Sequence, residues 1–134
     1  MSFIFLYNKC YGGFGLTKDF INNFNVIYGE NYHDVWDFHR DDSRLYELIK
    51  ERGIENSVEE YCKLGAISYP NKYKGFISIH EYDGKETIYI DYNKYYISRF
   101  LELNPQDKLG ISDLQQEIRE YQKDKSYNGE DIMI

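Results

Sequence analysis

The tightest constraint on this chain is a pair of short runs on either side of Asp83-Gly84. Gly75 to Tyr82 reads GFISIHEY, and Lys85 to Tyr92 reads KETIYIDY. An Asp-Gly pair between two such runs is the signature of a two-residue type I′ hairpin turn, whose central residues both need positive φ. The turn sets the register. Tyr82 then faces Lys85, Glu81 faces Glu86, Ile79 faces Ile88 and Ile77 faces Ile90. Four isoleucines share one face, where β-branched cross-strand pairs pack well, and Ser78, His80, Thr87 and Tyr89 share the other. The opposed Glu81 and Glu86 are a local cost, because like charges directly opposite destabilise a ladder.

The rest of the chain supplies helices and further strands. Ser2 to Asn8 (SFIFLYN) reads as a buried strand that feeds the loop Tyr11-Gly-Gly-Phe-Gly15. Thr17 suits an N-cap, and Phe20, Ile21, Phe24, Ile27 and Tyr28 follow at helical spacing, with Gly29 placed to end the helix. Glu30 to Arg40 has no clear period and reads as a loop or a short irregular strand. A second helix starts near Asp41, Asp42 or Ser43, with Leu45, Leu48 and Ile49 as its apolar stripe and Gly53 at its end. Ser57-Val-Glu-Glu60 has a capping-box pattern and predicts a short helix to about Lys63. Ala66 to Tyr69 is a predicted strand closed by Pro70. Beyond the hairpin, Lys94 to Leu103 and Ser112 to Lys125 are predicted helices, and Tyr127 to Ile134 is a predicted loose tail.

The expected order is β-α-α-α-β-β-β-α-α. This is a small α+β fold, with an antiparallel sheet that includes the 75–92 hairpin and helices on one face. Residues 1–93 form the predicted core domain. Residues 94–134 form a helical C-terminal extension, either part of the same domain or an appendage that could serve as an oligomer contact. At 134 residues, one domain is the expectation.

Composition narrows the classes of function. There are 15 Tyr, 8 Phe and 15 Ile, yet Ala66 is the single alanine and there are two prolines. Phe, Tyr, Ile, Asn and Lys share AT-rich codons, so the bias reads first as a property of the genome. No apolar run reaches the roughly 18–20 residues of a membrane span, and Met1 to Leu6 lacks the features of a signal peptide. Cys10 and Cys62 are too few for a disulfide scaffold, so a reduced intracellular compartment is expected. The net charge of -7 argues against general nucleic-acid binding.

Against that bias the glycines stand out. A strand that feeds a glycine loop and a helix N-terminus can present unpaired N–H groups to an anion. Tyr11, Gly12, Gly13, Phe14 and Gly15 are therefore candidate ligand-binding residues, although Gly12-Gly13-x-Gly15 has neither Walker nor dinucleotide spacing. The plainer reading is a tight connection whose glycines permit positive φ. Cys10 lies where a helix N-terminus could lower its pKa, with His80 as a base that only the fold could bring near. Cys62 reads as core. In the segment from His33 to Asp42, the two histidines lack metal-ligand spacing, so no metal is expected. Arg40 either pairs with Asp41 or Asp42, or clamps a phosphate or carboxylate with two hydrogen bonds, and Asp42 is a cap or part of that site. At the hairpin tip, Glu81, Tyr82 and Glu86 complete the candidate set. They carry either paired-carboxylate chemistry or a solvated turn.

These three segments together resemble a set of small uncharacterised proteins encoded by phages and giant DNA viruses. The pattern is Asn-x-Cys-Tyr-Gly-Gly-Phe-Gly-Leu-Ser before a helix, then an Arg-x-Asp-Pro-x-Leu helix start and a Glu-Tyr-Asp-Gly-x-Glu hairpin. The chain matches at Asn8, Cys10 to Leu16, Arg40, Asp42, Leu45 and Glu81 to Glu86. It departs at Thr17 and Ser43, where Ser and Pro are expected, and it lacks a His-Arg-x-Trp ending. The resemblance spans about residues 3–90. It implies a viral origin, and with it a host cytoplasm as the compartment, and no particular activity.

Three functions follow, in this order. The first is a viral-type binding protein that acts on a host protein or sequesters a small phosphorylated or nucleotide ligand at the glycine loop, with no cofactor. The second is a structural or assembly protein, homo-oligomeric through its C-terminal helices. The third is a thiol-dependent enzyme that uses Cys10.

Overall fold

The computed structural model describes residues 1–123 and 127–134. Nine main elements follow one another: β1 (Ser2–Asn8), α1 (Lys18–Tyr28), α2 (Ser43–Arg52), β2 (Leu64–Pro70), β3 (Ile77–Tyr82), β4 (Lys85–Ile90), α3 (Tyr92–Glu102), α4 (Lys108–Lys123) and β5 (Glu130–Ile132). They form a three-stranded antiparallel sheet, ordered β1-β2-β5, and a two-stranded sheet of β3 and β4. The α+β class expected from the sequence is the observed one.

Both faces of the larger sheet are covered, because alternate residues of β1 and β2 point to opposite sides. Leu6, Leu64 and Ala66 pack with Phe20 and Phe24 of α1 and Leu45 and Ile49 of α2. On the other side, Phe3, Phe5, Ile67 and Tyr69 meet Ile88 and Ile90 of the hairpin and Tyr95 of α3. The hairpin is thus one outer layer, and the α1–α2 pair is the other. Thr17 caps α1 by accepting from Phe20 N, and Gly29 ends it in the left-handed region. The side chain of Asp42 caps α2, and that of Asp91 caps α3.

The hairpin register is the one the Asp-Gly turn dictates, from Ile77↔Ile90 to Tyr82↔Lys85. Asp83 and Gly84 both have positive φ, as a type I′ turn requires. Ile88 and Ile90 are buried, whereas Ile79, further from the sheet, stays exposed.

Two predicted elements are replaced. The segment from Ser57 to Lys63 is not a helix. The Ser57 hydroxyl donates to the Gly53 carbonyl instead of capping, and Val58 bridges to Leu16 through Thr17 N → Ser57 O and Glu59 N → Gly15 O. Tertiary pairing overrides the local capping pattern there. The tail is not loose. Its residues 130–132 add to β2 as β5, with Ala66↔Ile132 and Ser68↔Glu130, and Ile132 and Ile134 pack on the α1–α2 side. The C-terminal part is therefore built into the same domain as residues 1–93. Of the predicted helix Ser112 to Lys125, the last two residues lie outside the described residues.

Candidate functional site

The three motif-bearing segments converge at the open edge of β1. In an antiparallel pair, alternate residues turn their N–H and C=O groups away from the partner strand. On β1 these outward groups include those of Leu6 and Asn8. Leu6 N donates to Arg40 O at 2.9 Å, and Asn8 N donates to Glu86 Oε1 at 2.8 Å. Arg40 and Glu86 thereby close an edge that would otherwise offer unpaired groups. They also bind each other in a two-bond fork, Nη1–Oε1 at 2.7 Å and Nη2–Oε2 at 2.8 Å, with the side chains only 8% and 6% exposed. The guanidinium lies 3.5 Å from the centroid of the Phe14 ring. The carboxylate that Arg40 clamps is thus one of the chain's own. The burial of Glu86 follows from alternation, since it shares a face with Ile88 and Ile90.

Asn8 ties in the remaining backbone. Its Oδ1 accepts from Lys63 N at 2.9 Å and Cys10 N at 3.4 Å, and its Nδ2 donates to Cys10 O and, at 2.9 Å, to Gly84 O. The glycines allow three backbones to meet. A Cβ at Gly12 would overlap the Tyr61 carbonyl, one at Gly15 would overlap the Tyr61 ring, and one at Gly84 would overlap the Tyr11 carbonyl. Gly13 is different, because it faces open space but holds φ at +94°. Close approach, rather than a phosphate cradle, accounts for Gly12 and Gly15, and Thr17 already occupies the N–H of Phe20 at the helix start.

The other candidates lie around this junction in separate roles. Glu81 and Glu86 take different partners: Glu81 Oε1 accepts from Gly84 N across the turn, whereas Glu86 is forked to Arg40. Asp42 accepts from the Arg44 backbone and side chain. Burial pushes the Asp42 carboxyl up, but the Arg44 hydrogen bonds outweigh it and hold the carboxyl below the usual range. Tyr11 and Tyr82 are exposed. The Cys10 thiol is half-buried and donates to Tyr61 O at 2.9 Å, with Asn8 Oδ1 at 3.3 Å. His80 is exposed on the face of β3 opposite the isoleucines, and it is not among the hydrogen-bond partners of the Cys10 thiol.

Beside the junction lies a cleft of about 390 Å³ between the end of β1 and β4. Ile67 and Ile88 form its apolar floor. Tyr7, Lys9, Lys85, Thr87 and Asn128 supply polar groups, and Glu86 forms part of the wall. Asn128 is held in place: its Nδ2 donates to Ile88 O at 2.7 Å, and its Oδ1 accepts from the Tyr69 hydroxyl at 3.1 Å. Burial, and then the Asp131 charge, raises the pKa of the Tyr7 phenol, so it stays a proton donor. Lys85 Nζ stands 5.5 Å from the centroid of the exposed Tyr11 ring. Among the described residues, neither Lys9 nor Lys85 forms an ion pair.

Sequence reading reached Glu86 and Tyr11 but not Tyr7, Lys9, Lys85, Thr87 or Asn128. Lys85 and Thr87 were legible as hairpin neighbours of Glu86. Asn128 had no signal, because its position depends on the return of the C-terminal strand. Comparison of the chain with protein-family models, with curated proteins and with solved structures gives no match.

Proposed function

We propose that the chain is a small viral-type binding protein that holds a phosphorylated or carboxylated small molecule in the cleft under Lys9 and Lys85. One observation carries this reading: two lysines without ion-pair partners among the described residues stand over a cleft with an apolar floor. Its volume, about 390 Å³, falls within the roughly 300–1,000 Å³ of small-molecule sites. The lysines would meet the anion, the Tyr7 and Thr87 hydroxyls would orient it, and Ile67 and Ile88 would take an apolar part. The glycine loop contributes from outside the cleft, by holding Tyr11 beneath Lys85. The likeness of the motif-bearing segments to phage and giant-virus proteins makes a viral genome, and a ligand drawn from the host cell, part of this reading.

Titration calorimetry with inorganic phosphate and with nucleoside mono- and triphosphates tests it. A charged hydrogen bond contributes about 1.5–3 kcal/mol. Lys85→Ala and Lys9→Ala should therefore each weaken binding by about tenfold or more at unchanged thermal stability. Absence of heat and of any thermal shift with every anion sinks the reading.

A second reading, an assembly protein, has its own support. Ile97, Phe100 and Leu101 lie on one face of α3 and are 61%, 64% and 76% exposed, with Leu109 of α4 also exposed. Residues at such spacing normally face a partner. Light scattering of the wild type and of Phe100→Asp decides it. A dimeric wild type and a monomeric variant favour assembly, and a monomeric wild type removes it.

A further inference from the structure

The ladder between β1 and β2 runs in an unbroken register from Ser2↔Pro70 to Asn8↔Leu64. One step beyond the strands half of the pairing persists: Lys9 N donates to Lys63 O at 2.7 Å, while Lys63 N turns to Asn8 Oδ1. Continued one residue further, that register would set Cys10 opposite Cys62. Since Lys9 bonds across to Lys63, the Cys10/Cys62 position is the non-hydrogen-bonded kind. An ideal ladder brings Cα atoms there to about 4.5 Å. Disulfides span Cα separations of about 4.4–6.8 Å. Cys62 packs with Leu6, Leu64 and Ala66, and the Cys10 thiol reaches Asn8 Oδ1, on the same face of β1 as Leu6.

Two further observations bring the segments that carry the thiols together. The Cys10 thiol donates to the carbonyl of Tyr61, the residue next to Cys62. Burial raises the pKa of the Cys62 thiol, and a hydrogen bond from the Gly15 backbone partly offsets that rise, which places Cys62 against the same glycine loop. Their exposures differ in a useful way, with Cys10 half-buried and Cys62 buried. An external reagent therefore reaches Cys10 first, and Cys62 waits behind it.

We propose that Cys10 and Cys62 are a dithiol–disulfide couple that a small external disulfide oxidises to an intrachain cross-link. The Cys10 thiolate attacks one sulfur of the external disulfide, whose S–S bond breaks and releases one thiolate. The Cys62 thiolate then attacks the Cys10 sulfur of the mixed disulfide and expels the second thiolate. The two protons lost by the cysteines end on the two released thiols. The external disulfide is reduced as the protein dithiol is oxidised. The new bond fastens the loop at Gly12 to Gly15 to the turn at Tyr61, two segments already in close contact. Lys9, which lines the cleft, immediately precedes the cross-linked residue.

The test is incubation of the full chain with excess oxidised glutathione, then mass spectrometry of the intact protein and of its non-reduced peptides. The expected product has lost two hydrogens, carries no glutathione, contains a peptide linking Cys10 to Cys62, and melts at a higher temperature until dithiothreitol is added. In Cys62→Ser the reaction should stop at a stable glutathione adduct on Cys10. Before oxidation, alkylation should mark Cys10 faster than Cys62. Should the wild type keep glutathione on Cys10, form only intermolecular dimers or fail to react, the proposal is overturned. The wild-type peptide map decides this by itself, so the outcome holds even if a variant folds poorly.

Discussion

Glu86 is the residue on which the three segments depend. It points inward because it alternates with Ile88 and Ile90, so it must bring a cation inside with it. Arg40 fills that role, and the pair also caps the Asn8 N–H and the Leu6 carbonyl of β1. Removal of one partner leaves a buried charge without compensation, which costs about 3–5 kcal/mol. Glu86→Ala and Arg40→Ala should each destabilise by that order in urea unfolding. The double variant Arg40→Met with Glu86→Leu should recover much of the loss. A loss below about 1 kcal/mol for either single variant would show the pair to be incidental. The register that puts Glu86 on the isoleucine face was legible from the Asp-Gly turn. The identity of its partner was not, because Arg40 lies far away in sequence and has Asp41 and Asp42 as nearer candidates.

At the scale of elements, the hairpin and the first two helices are local objects, and their turn, cap and stripe residues announce them. The two segments that read differently are governed by pairing. Val58 joins Leu16 in a bridge, and that contact overrides a capping pattern that would otherwise start a helix at Ser57. The strand β5 is only three residues long and mostly polar, and it forms because β2 has a free edge beside it. Asn128 fastens this return by bonding both Ile88 O and the Tyr69 hydroxyl. Gly129 passes so close to Ile67 that no side chain fits there. Asn128→Ala should cost about 1–3 kcal/mol, since it strands two partners. Hydrogen exchange should then speed up at β5 and at the edge of β2 while the β1–β2 ladder stays protected. Equal acceleration across both strands would mean that β5 is not a separate latch.

Over the whole molecule, an aromatic-rich composition becomes a pH property. The Tyr69 phenol is fully buried, and those of Tyr92 and Tyr96 sit among other rings. Desolvation is the main cause that raises all three above the ordinary value of 10.0, with Tyr96 pushed up to about 12. Above pH 10 the unfolded chain releases these protons while the folded one keeps them, so stability falls as the pH rises toward the folded values. The cooperative loss of circular dichroism in alkali should coincide with tyrosinate absorbance, and Tyr96→Phe should move it to higher pH. Tyrosinate signal that rises well before the structure is lost would count against this. On the acid side the sign reverses. The depressed Asp42 carboxyl contributes stability above its unfolded value of 3.8, and that contribution fades as pH drops through the folded one. Contiguous residues encode the hairpin and its register, helix starts and stops, a glycine loop that permits close packing, and the α+β class. Which distant groups meet was settled by packing: Arg40 with Glu86, β5 with β2, the Cys10 thiol with the Tyr61 carbonyl, and the cleft that Lys9, Lys85 and Asn128 share. Turn and cap energies act within a few residues. Edge pairing and burial of charge are settled only when the whole chain has packed.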